Sequence, residues 1–393
     1  MSKTIGINGL FLTKPFTGIG VYTINLLKSL AQIDSENQYI IVVPQPSSSS
    51  KKRVASNSSE NKSPSNFKFI NAPYPNIPTS SLKKTYWEQI IVPRVFKANK
   101  VDIAFFPYPA NPCRQLKIPT IVTVHDTIPF ENKAYTKKLR SKIYQVFAQF
   151  NLRFADKIVA VSNQTKSDLI RLKTPQQKIE VIHNTLGPES DIKFSLKTKT
   201  LKKFKITKPY FLYVGGFDER KNVAAMIESF KSANSEKNKQ KYQLVLAGRA
   251  HQKAHLYSSY IQSKQKNHSS KKTSSETGII FTDFISREDL NALYKNAHAF
   301  INFSLSEGFN LPLLEAAYFK TPIGTSDLKV HHEVIGEGAV FADPKNTQKI
   351  KAAISKLMKI TKTESTDLTK KAAQSIKKFD NISEAEKIIK IIK

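Results

Sequence analysis

The sequence predicts an α/β fold in two domains, on three observations. Short apolar runs alternate with amphipathic stretches, a pattern that layers helices on parallel sheets. The alternation recurs in both halves of the chain without any short sequence period. At 393 residues the chain also exceeds what one hydrophobic core usually serves.

In the first half the predicted strands are residues 4–8, 39–43, 67–71, 103–106, 121–124 and 157–161. Leu26, Leu27 and Leu30 mark the inner face of a helix that follows a turn at Gly18. Residues 139–154 read as a basic amphipathic helix packed on the sheet. In the second half the strands are 210–214, 243–247, 278–281 and 299–303, with shorter ones at 321–324 and 339–341. Helices are predicted at 223–233, 287–297, 311–319 and 347–361, and a last amphipathic one at 383–393.

Gly187-Pro188 and a Lys/Thr-rich stretch interrupt the pattern. They divide the chain into a domain over 1–190, a linker over 191–208 and a domain over 209–372. Two polar inserts stand apart, at 47–66 and 251–277, the first a Ser/Lys-rich loop expected to be mobile.

Composition narrows the function. The 40% apolar content suffices for globular cores. No run approaches the ~18 apolar residues that cross a bilayer. The N-terminus enters a strand at once and lacks a signal-peptide core. The single cysteine, Cys113, excludes an internal disulfide and a multi-cysteine metal site. A cytoplasmic setting is the expectation. The formal charge of +31 comes mainly from scattered lysines in a chain also rich in Ile and Asn, so compositional bias is its plainest reading. Attraction to an anionic membrane surface or substrate is the second. No zinc-finger spacing or RNA-binding motif supports nucleic acid.

The most informative stretch is Ser306-Glu307-Gly308-Phe309-Asn310-Leu311-Pro312-Leu313-Leu314-Glu315. A buried strand, a Gly turn and a helix N-terminus make a place for an anionic phosphate against backbone N–H groups. The two carboxylates repel phosphate but suit neutral hydroxyls on either side. A ligand with a central diphosphate and sugar hydroxyls at both ends fits.

Gly215-Gly216 likewise end a strand, and Arg220-Lys221 follow before a helix. These cations could neutralise a departing diphosphate, or form a solvated basic turn. His125-Asp126 end another strand, where His125 could bind a substrate hydroxyl or cap the turn. Gly18 and Gly20 let backbone approach a ligand, yet the G-x-G-x-x-G spacing is not matched and a plain tight turn reads equally well. No Asp-x-Asp and no His/Asp/Glu cluster has metal-ligand spacing. Phosphate chemistry is therefore expected to use cations and helix dipoles.

With these residues in view, the chain resembles the retaining glycosyltransferases of family four from Ile5 to about Pro344. The most specific element is Glu307-Gly308-Phe309 followed by Glu315, which matches the family's paired-glutamate motif. Supporting elements are Thr17-Gly18-Ile19-Gly20, Trp87-Glu88-Gln89, His125-Asp126, Val161-Ser162-Asn163, Val181-Ile182-His183-Asn184, Gly215-Gly216 with Arg220-Lys221-Asn222, and Leu246-Ala247-Gly248.

The resemblance implies the GT-B fold, two Rossmann-like doubly wound domains facing a central cleft. The acceptor goes mainly to the first domain and the nucleotide sugar to the second. It implies that Glu315 holds the donor ribose and that Glu307 contacts the transferred sugar. Gly308, Phe309, Asn310 and Leu311 would line the donor turn. Lys221 and Arg220 would face the diphosphate beside Gly215 and Gly216. His125 would touch the sugar near the reacting carbon, Phe284 within 281–285 would lie against the base, and Gly18 and Gly20 would approach phosphates or acceptor. Residues 373–393 would cross back to the first domain.

Two positions depart from the family pattern. Gly216 stands where many members have Arg, and Asn310, which tolerates left-handed backbone, stands where many have Gly.

The expected activity is metal-independent hexosyl transfer with retention, with a nucleoside-diphosphate sugar as donor substrate and no cofactor. The acceptor would be a glycan or a lipid-linked acceptor, with peripheral contact to an anionic membrane as a further option and no nucleic acid. The His125-Asp126-Thr127-Ile128-Pro129 context resembles mannosyltransferase members acting on surface polysaccharides. A nucleotide-sugar epimerase of the same fold and a non-catalytic nucleotide-sugar binder are the alternatives.

Overall fold

A computed structural model describes residues 2–45, 64–77, 79–128, 149–188, 197–235, 241–248, 278–283 and 285–393. Phe284, the insert 251–277, most of the insert 47–66 and most of the predicted helix 139–154 lie outside them. The chain forms two units, Met1–Pro188 with Phe379–Lys393, and Glu189–Lys378.

The first unit is built on seven parallel strands: β1 (Thr4–Asn8), β2 (Gln38–Pro44), β3 (Phe67–Ala72), β4 (Ile103–Phe106), β5 (Thr120–Val124), β6 (Lys157–Ala160) and β7 (Ile179–Val181). Their spatial order is β3-β2-β1-β4-β5-β6-β7. β4 and β5 are buried throughout, as strands covered on both faces must be. β7 was not predicted as a strand, because Ile179-Glu180-Val181 is too short to register as an apolar run.

Helix α1 (Gly18–Ile33) buries Tyr22, Leu26, Leu27 and Leu30 against this sheet. Thr17 caps it, its hydroxyl accepting from Gly20 N at 3.2 Å. Further helices are α2 (Ser80–Tyr86), α3 (Val92–Ala98) and α4 (Asn163–Arg171), with a π-helical turn, Trp87–Ile91, between α2 and α3.

The second unit holds six parallel strands: β8 (Tyr210–Val214), β9 (Gln243–Ala247), β10 (Ile279–Asp283), β11 (Ala299–Asn302), β12 (Ile323–Ser326) and β13 (Val340–Ala342), in the order β10-β9-β8-β11-β12-β13. β12 starts two residues later than its predicted counterpart. Pro322 has no N–H for the ladder, and Thr321 turns its hydroxyl to Tyr294 O at 2.7 Å.

The helices of this unit are α5 (Lys197–Lys203), α6 (Val223–Ser235), α7 (Arg287–Asn296), α8 (Leu311–Tyr318), α9 (Lys329–Ile335), α10 (Thr347–Met358) and α11 (Lys362–Ile376). The helix predicted over 347–361 is thus corrected. It stops at Met358, and Thr361 becomes the N-cap of α11 in a capping box with Glu364.

The last helix, α12 (Asn381–Ile392), belongs to the first unit. Ala385, Ile388 and Ile392 are buried in the core that α1 covers. Glu384 Oε2 accepts from His183 N at 2.8 Å, and Lys3 Nζ donates to Ile392 O at 2.8 Å. No described helix is long and apolar enough to cross a membrane.

Each sheet has a switch point where its strand order reverses, β1/β4 in one unit and β8/β11 in the other. Ligands of doubly wound folds bind at the carboxyl ends of such strands.

Candidate active site

In the second unit the loops after β8 and β11 flank the switch point. The first contains Gly215, Gly216, Arg220 and Lys221; the second runs through Ser306, Glu307, Gly308, Phe309 and Asn310. Gly215 has φ +155°, a backbone that side chains rarely adopt, and this aims the loop away from the strand. Tyr213 Oη donates to Gly216 O at 2.5 Å and fixes the bend. Leu305 N donates to Arg220 O at 2.8 Å, joining the two loops through their backbones. Asn222, left-handed at φ 54°, donates Nδ2–H to Phe303 O at 3.1 Å and to Pro344 O at 2.8 Å.

Within this frame three predicted residues come together. Arg220 Nη1 lies 2.6 Å from Glu307 Oε2, and Lys221 Nζ lies 2.6 Å from Glu307 Oε1. Arg220 Nη1 also donates to Ser306 O at 3.0 Å. Burial by itself would raise the Glu307 carboxyl, but the charges of Lys221 and Arg220 outweigh it and hold the pKa at about 2. Glu307 is thus an anion whose two oxygens both face cations. The sequence gives no sign of this, because 86 residues separate Lys221 from Glu307.

Glu315 is buried in α8. Its Oε1 meets Arg287 Nη1 at 2.5 Å, and the buried carboxylate raises the guanidinium pKa further. Arg287 was not among the sequence-predicted site residues. It is the first residue of α7, which Ser286 caps, and only the packing of α7 beside α8 brings it to Glu315. Phe309 is buried, and Asn310 takes the left-handed backbone expected of it, φ 78°. Leu311 opens α8 with Pro312 behind it, so N–H groups of the first turn end at this loop.

Apart from Phe284, which lies outside the described residues, the remaining site residues belong to the first unit. His125 follows β5, and its Nε2–H donates to Pro107 O at 2.8 Å. Burial lowers its pKa to about 4, so the ring is neutral near pH 7 and Nδ1 is its acceptor nitrogen. Gly20 lies where a Cβ would stand 2.2 Å from Lys14 O, so the loop closes only on glycine. A Cβ at Gly18 would meet open space, and packing does not require glycine there. Among the described residues no group of three or more His, Cys, Asp or Glu side chains could hold a metal ion.

The geometry is that of two loops at one switch point, with paired cations and a helix N-terminus. Comparison with known proteins gives it a family. The model for glycosyl transferases group 1 matches residues 197–375, and that for Glycosyltransferase Family 4 matches residues 16–189. The chain belongs to these glycosyltransferases. Among relatives of the family, the O-antigen chain mannosyltransferase RfbU of Salmonella typhimurium is 26% identical over 238 residues. That match spans 60% of this chain and 60% of RfbU's own length.

Solved structures agree on the fold. Sucrose-phosphate synthase from Thermosynechococcus elongatus superposes with TM-score 0.75 at 16% identity, over 99% of this chain and 98% of that one. Anabaena Alr3699/HepE, solved with UDP and glucose, gives TM-score 0.70 at 13% identity, over 100% and 99%. The α/β GT-B class and its two Rossmann-like units, expected from the sequence, are therefore the family fold as well.

Proposed function

We propose that the protein transfers a hexose, mannose by our reading, from a nucleoside-diphosphate sugar to a hydroxyl of a glycan or lipid-linked acceptor in surface-polysaccharide synthesis. The observation that carries this is the Arg220–Glu307–Lys221 cluster at the β8/β11 switch point, beside the N-terminus of α8. Two cations and a helix N-terminus suit a diphosphate. RfbU and WbdA, both mannosyltransferases by name, support mannose, and HepE, solved with UDP-glucose, supports a nucleotide-sugar donor.

Glu307 balances both cations. On our reading the donor's diphosphate takes over Arg220 and Lys221, and Glu307 turns to hydroxyls of the sugar. Glu315 holds the ribose, exchanging its bond to Arg287 for the two ribose hydroxyls. As the glycosidic bond breaks, negative charge grows on the departing diphosphate, where fixed cations stabilise it more than they stabilise the ground state. The acceptor then attacks from the face the diphosphate leaves, its proton passing to a phosphate oxygen, which preserves the anomeric configuration. Arg220 and Lys221 do this without a metal.

The test is a panel of nucleotide sugars, GDP-mannose and UDP-glucose included, read first by thermal stabilisation, since a bound donor raises stability by mass action. Transfer to an acceptor is then followed by NMR of the product's anomeric proton, in buffer with and without a chelator. No stabilisation by any donor would remove the proposal, an inverted product would remove retention, and loss of activity in chelator would remove metal independence. We place the reaction at the cytoplasmic face of a membrane, where the charge of +31, on its second reading as a membrane-attracting charge, would favour anionic lipid. Sedimentation with anionic vesicles that does not weaken as salt rises would contradict that placement.

A further inference from the structure

Asn310 carries a polar atom that no described residue satisfies. Its side chain is 6% exposed, and its Oδ1 is buried without a hydrogen-bond partner among the described residues. Buried polar side-chain atoms are as a rule hydrogen-bonded, so an orphan at a binding loop calls for an explanation.

His331 fixes the direction in which this amide points. The ring is fully buried on α9. Its Nδ1 lies 3.0 Å from Ser326 O and 2.9 Å from Thr325 Oγ1. A carbonyl can only accept, so Nδ1 carries the proton. The Thr325 hydroxyl donates its own proton to Asn302 O at 2.8 Å, which leaves it an acceptor toward the ring. In the neutral ring Nε2 is then an acceptor, and it receives Asn310 Nδ2–H at 3.1 Å. Burial holds the ring pKa down to about 4, so the neutral form persists near pH 7. Flipping the amide would set Oδ1 against the Nε2 lone pair. Oδ1 is therefore held as an unused acceptor in the turn that contains Glu307 and ends at Leu311.

We propose that Asn310 is a sugar-recognition residue, whose Oδ1 accepts a hydrogen bond from a hydroxyl of the transferred hexose, and that His331 is the positioning residue that orients it. This rests on the donor-site reading given above. A hydroxyl can donate to Oδ1, whereas a phosphate oxygen cannot, so the amide distinguishes the sugar end of the donor from its diphosphate. His331 acts only through Asn310.

Asn310→Gly is the test, because glycine adopts φ 78° without strain and the turn survives. Calorimetry compares a nucleotide sugar that binds the wild type with the corresponding nucleoside diphosphate. We expect the variant to bind the nucleotide sugar about tenfold more weakly, as for one lost hydrogen bond, and to bind the nucleoside diphosphate as the wild type does. His331→Leu should weaken sugar-dependent binding in the wild type and add nothing in Asn310→Gly.

Equal affinity of wild type and Asn310→Gly for the nucleotide sugar would overturn the proposal and leave the donor site standing, with water as the partner of Oδ1. Equal weakening toward both ligands would overturn it as well, by showing a general effect on the loop. A wild type that binds neither ligand would instead remove the donor-site reading and the proposal with it.

Discussion

Arg287 Nη1 stands 2.5 Å from Glu315 Oε1, so the carboxylate we assign to the ribose is paired with a cation of its own chain. Glu315 is buried, whereas the Arg287 side chain is 44% exposed. Water therefore screens one end of the pair and not the other. Arg287→Ala should destabilise the second unit by about 1–2 kcal/mol, well under the cost of stripping a fully buried pair. Urea denaturation measures it, and an unchanged midpoint would show that the pair contributes no stability. Glu315→Ala should weaken donor binding at least tenfold by calorimetry, since ribose hydroxyls lose a charged acceptor.

Lys221→Ala removes one of the two cations on Glu307. We expect kcat to fall about 100-fold or more, on the order of 3 kcal/mol of transition-state stabilisation, with Arg220 still pairing the carboxylate and the fold retained. Steady-state kinetics beside a circular dichroism melt would measure both effects. Near-normal turnover would show that the leaving group does not depend on this ammonium.

Acid should destabilise the protein in two successive windows. Burial lowers the pKa values of His125 and His331 to about 4, below the ordinary 6.5. The unfolded chain therefore binds protons that these rings refuse, which lowers stability as pH drops from 6.5 toward 4. Burial pushes the Glu88 carboxyl up to about 7, so that its proton uptake in the fold opposes them over part of that range. Glu307 is held at about 2 against an ordinary 4.5, so its share is present above pH 4.5 and is lost as pH falls through 2. That share is on the order of 3 kcal/mol. Denaturation curves over this range for Glu307→Gln should show a shallower lower window and keep the upper one. The remainder comes from Asp34 and Glu384, where burial is outweighed by hydrogen bonds that hold the carboxyls low. With the opposing carboxyl removed in Glu88→Gln, equal stability at pH 6.5 and pH 4 would refute the upper window.

Truncation after Lys378 should damage the first unit specifically. It removes Ala385, Ile388 and Ile392 from that unit's core and leaves His183 N without the Glu384 carboxylate. Loss of the two buried isoleucines alone forfeits about 3–6 kcal/mol. In hydrogen exchange, protection should collapse in β1 and α1 and persist in β8 and β11. Collapse in both units alike would show that they do not fold separately.

Much of this was legible in the sequence, because parallel strands covered on both faces read as unbroken apolar runs. Phe211-Leu212-Tyr213 and Phe300-Ile301 are examples, and glycines and charges at the carboxyl ends of those strands mark the ligand edge. What stayed hidden depends on strand order. Lys221 reaches Glu307, and Arg287 reaches Glu315, only because β8 lies beside β11 and α7 beside α8. The break after Met358 was written as Thr361-Lys362-Thr363-Glu364, a capping-box pattern, but the run of helix-forming residues through it obscured the stop. His331 had no sequence signal at all, since its meaning lies in the atoms facing each of its two nitrogens.

The seating of α12 sets an order of assembly during synthesis. Residues 189–378 are one continuous stretch and can close their core as soon as they leave the ribosome. The first unit emerges earlier yet must wait with α1 partly uncovered until residues 379–393 arrive. The half made first is therefore finished last, and its exposed leucines are the surface a nascent-chain chaperone would meet.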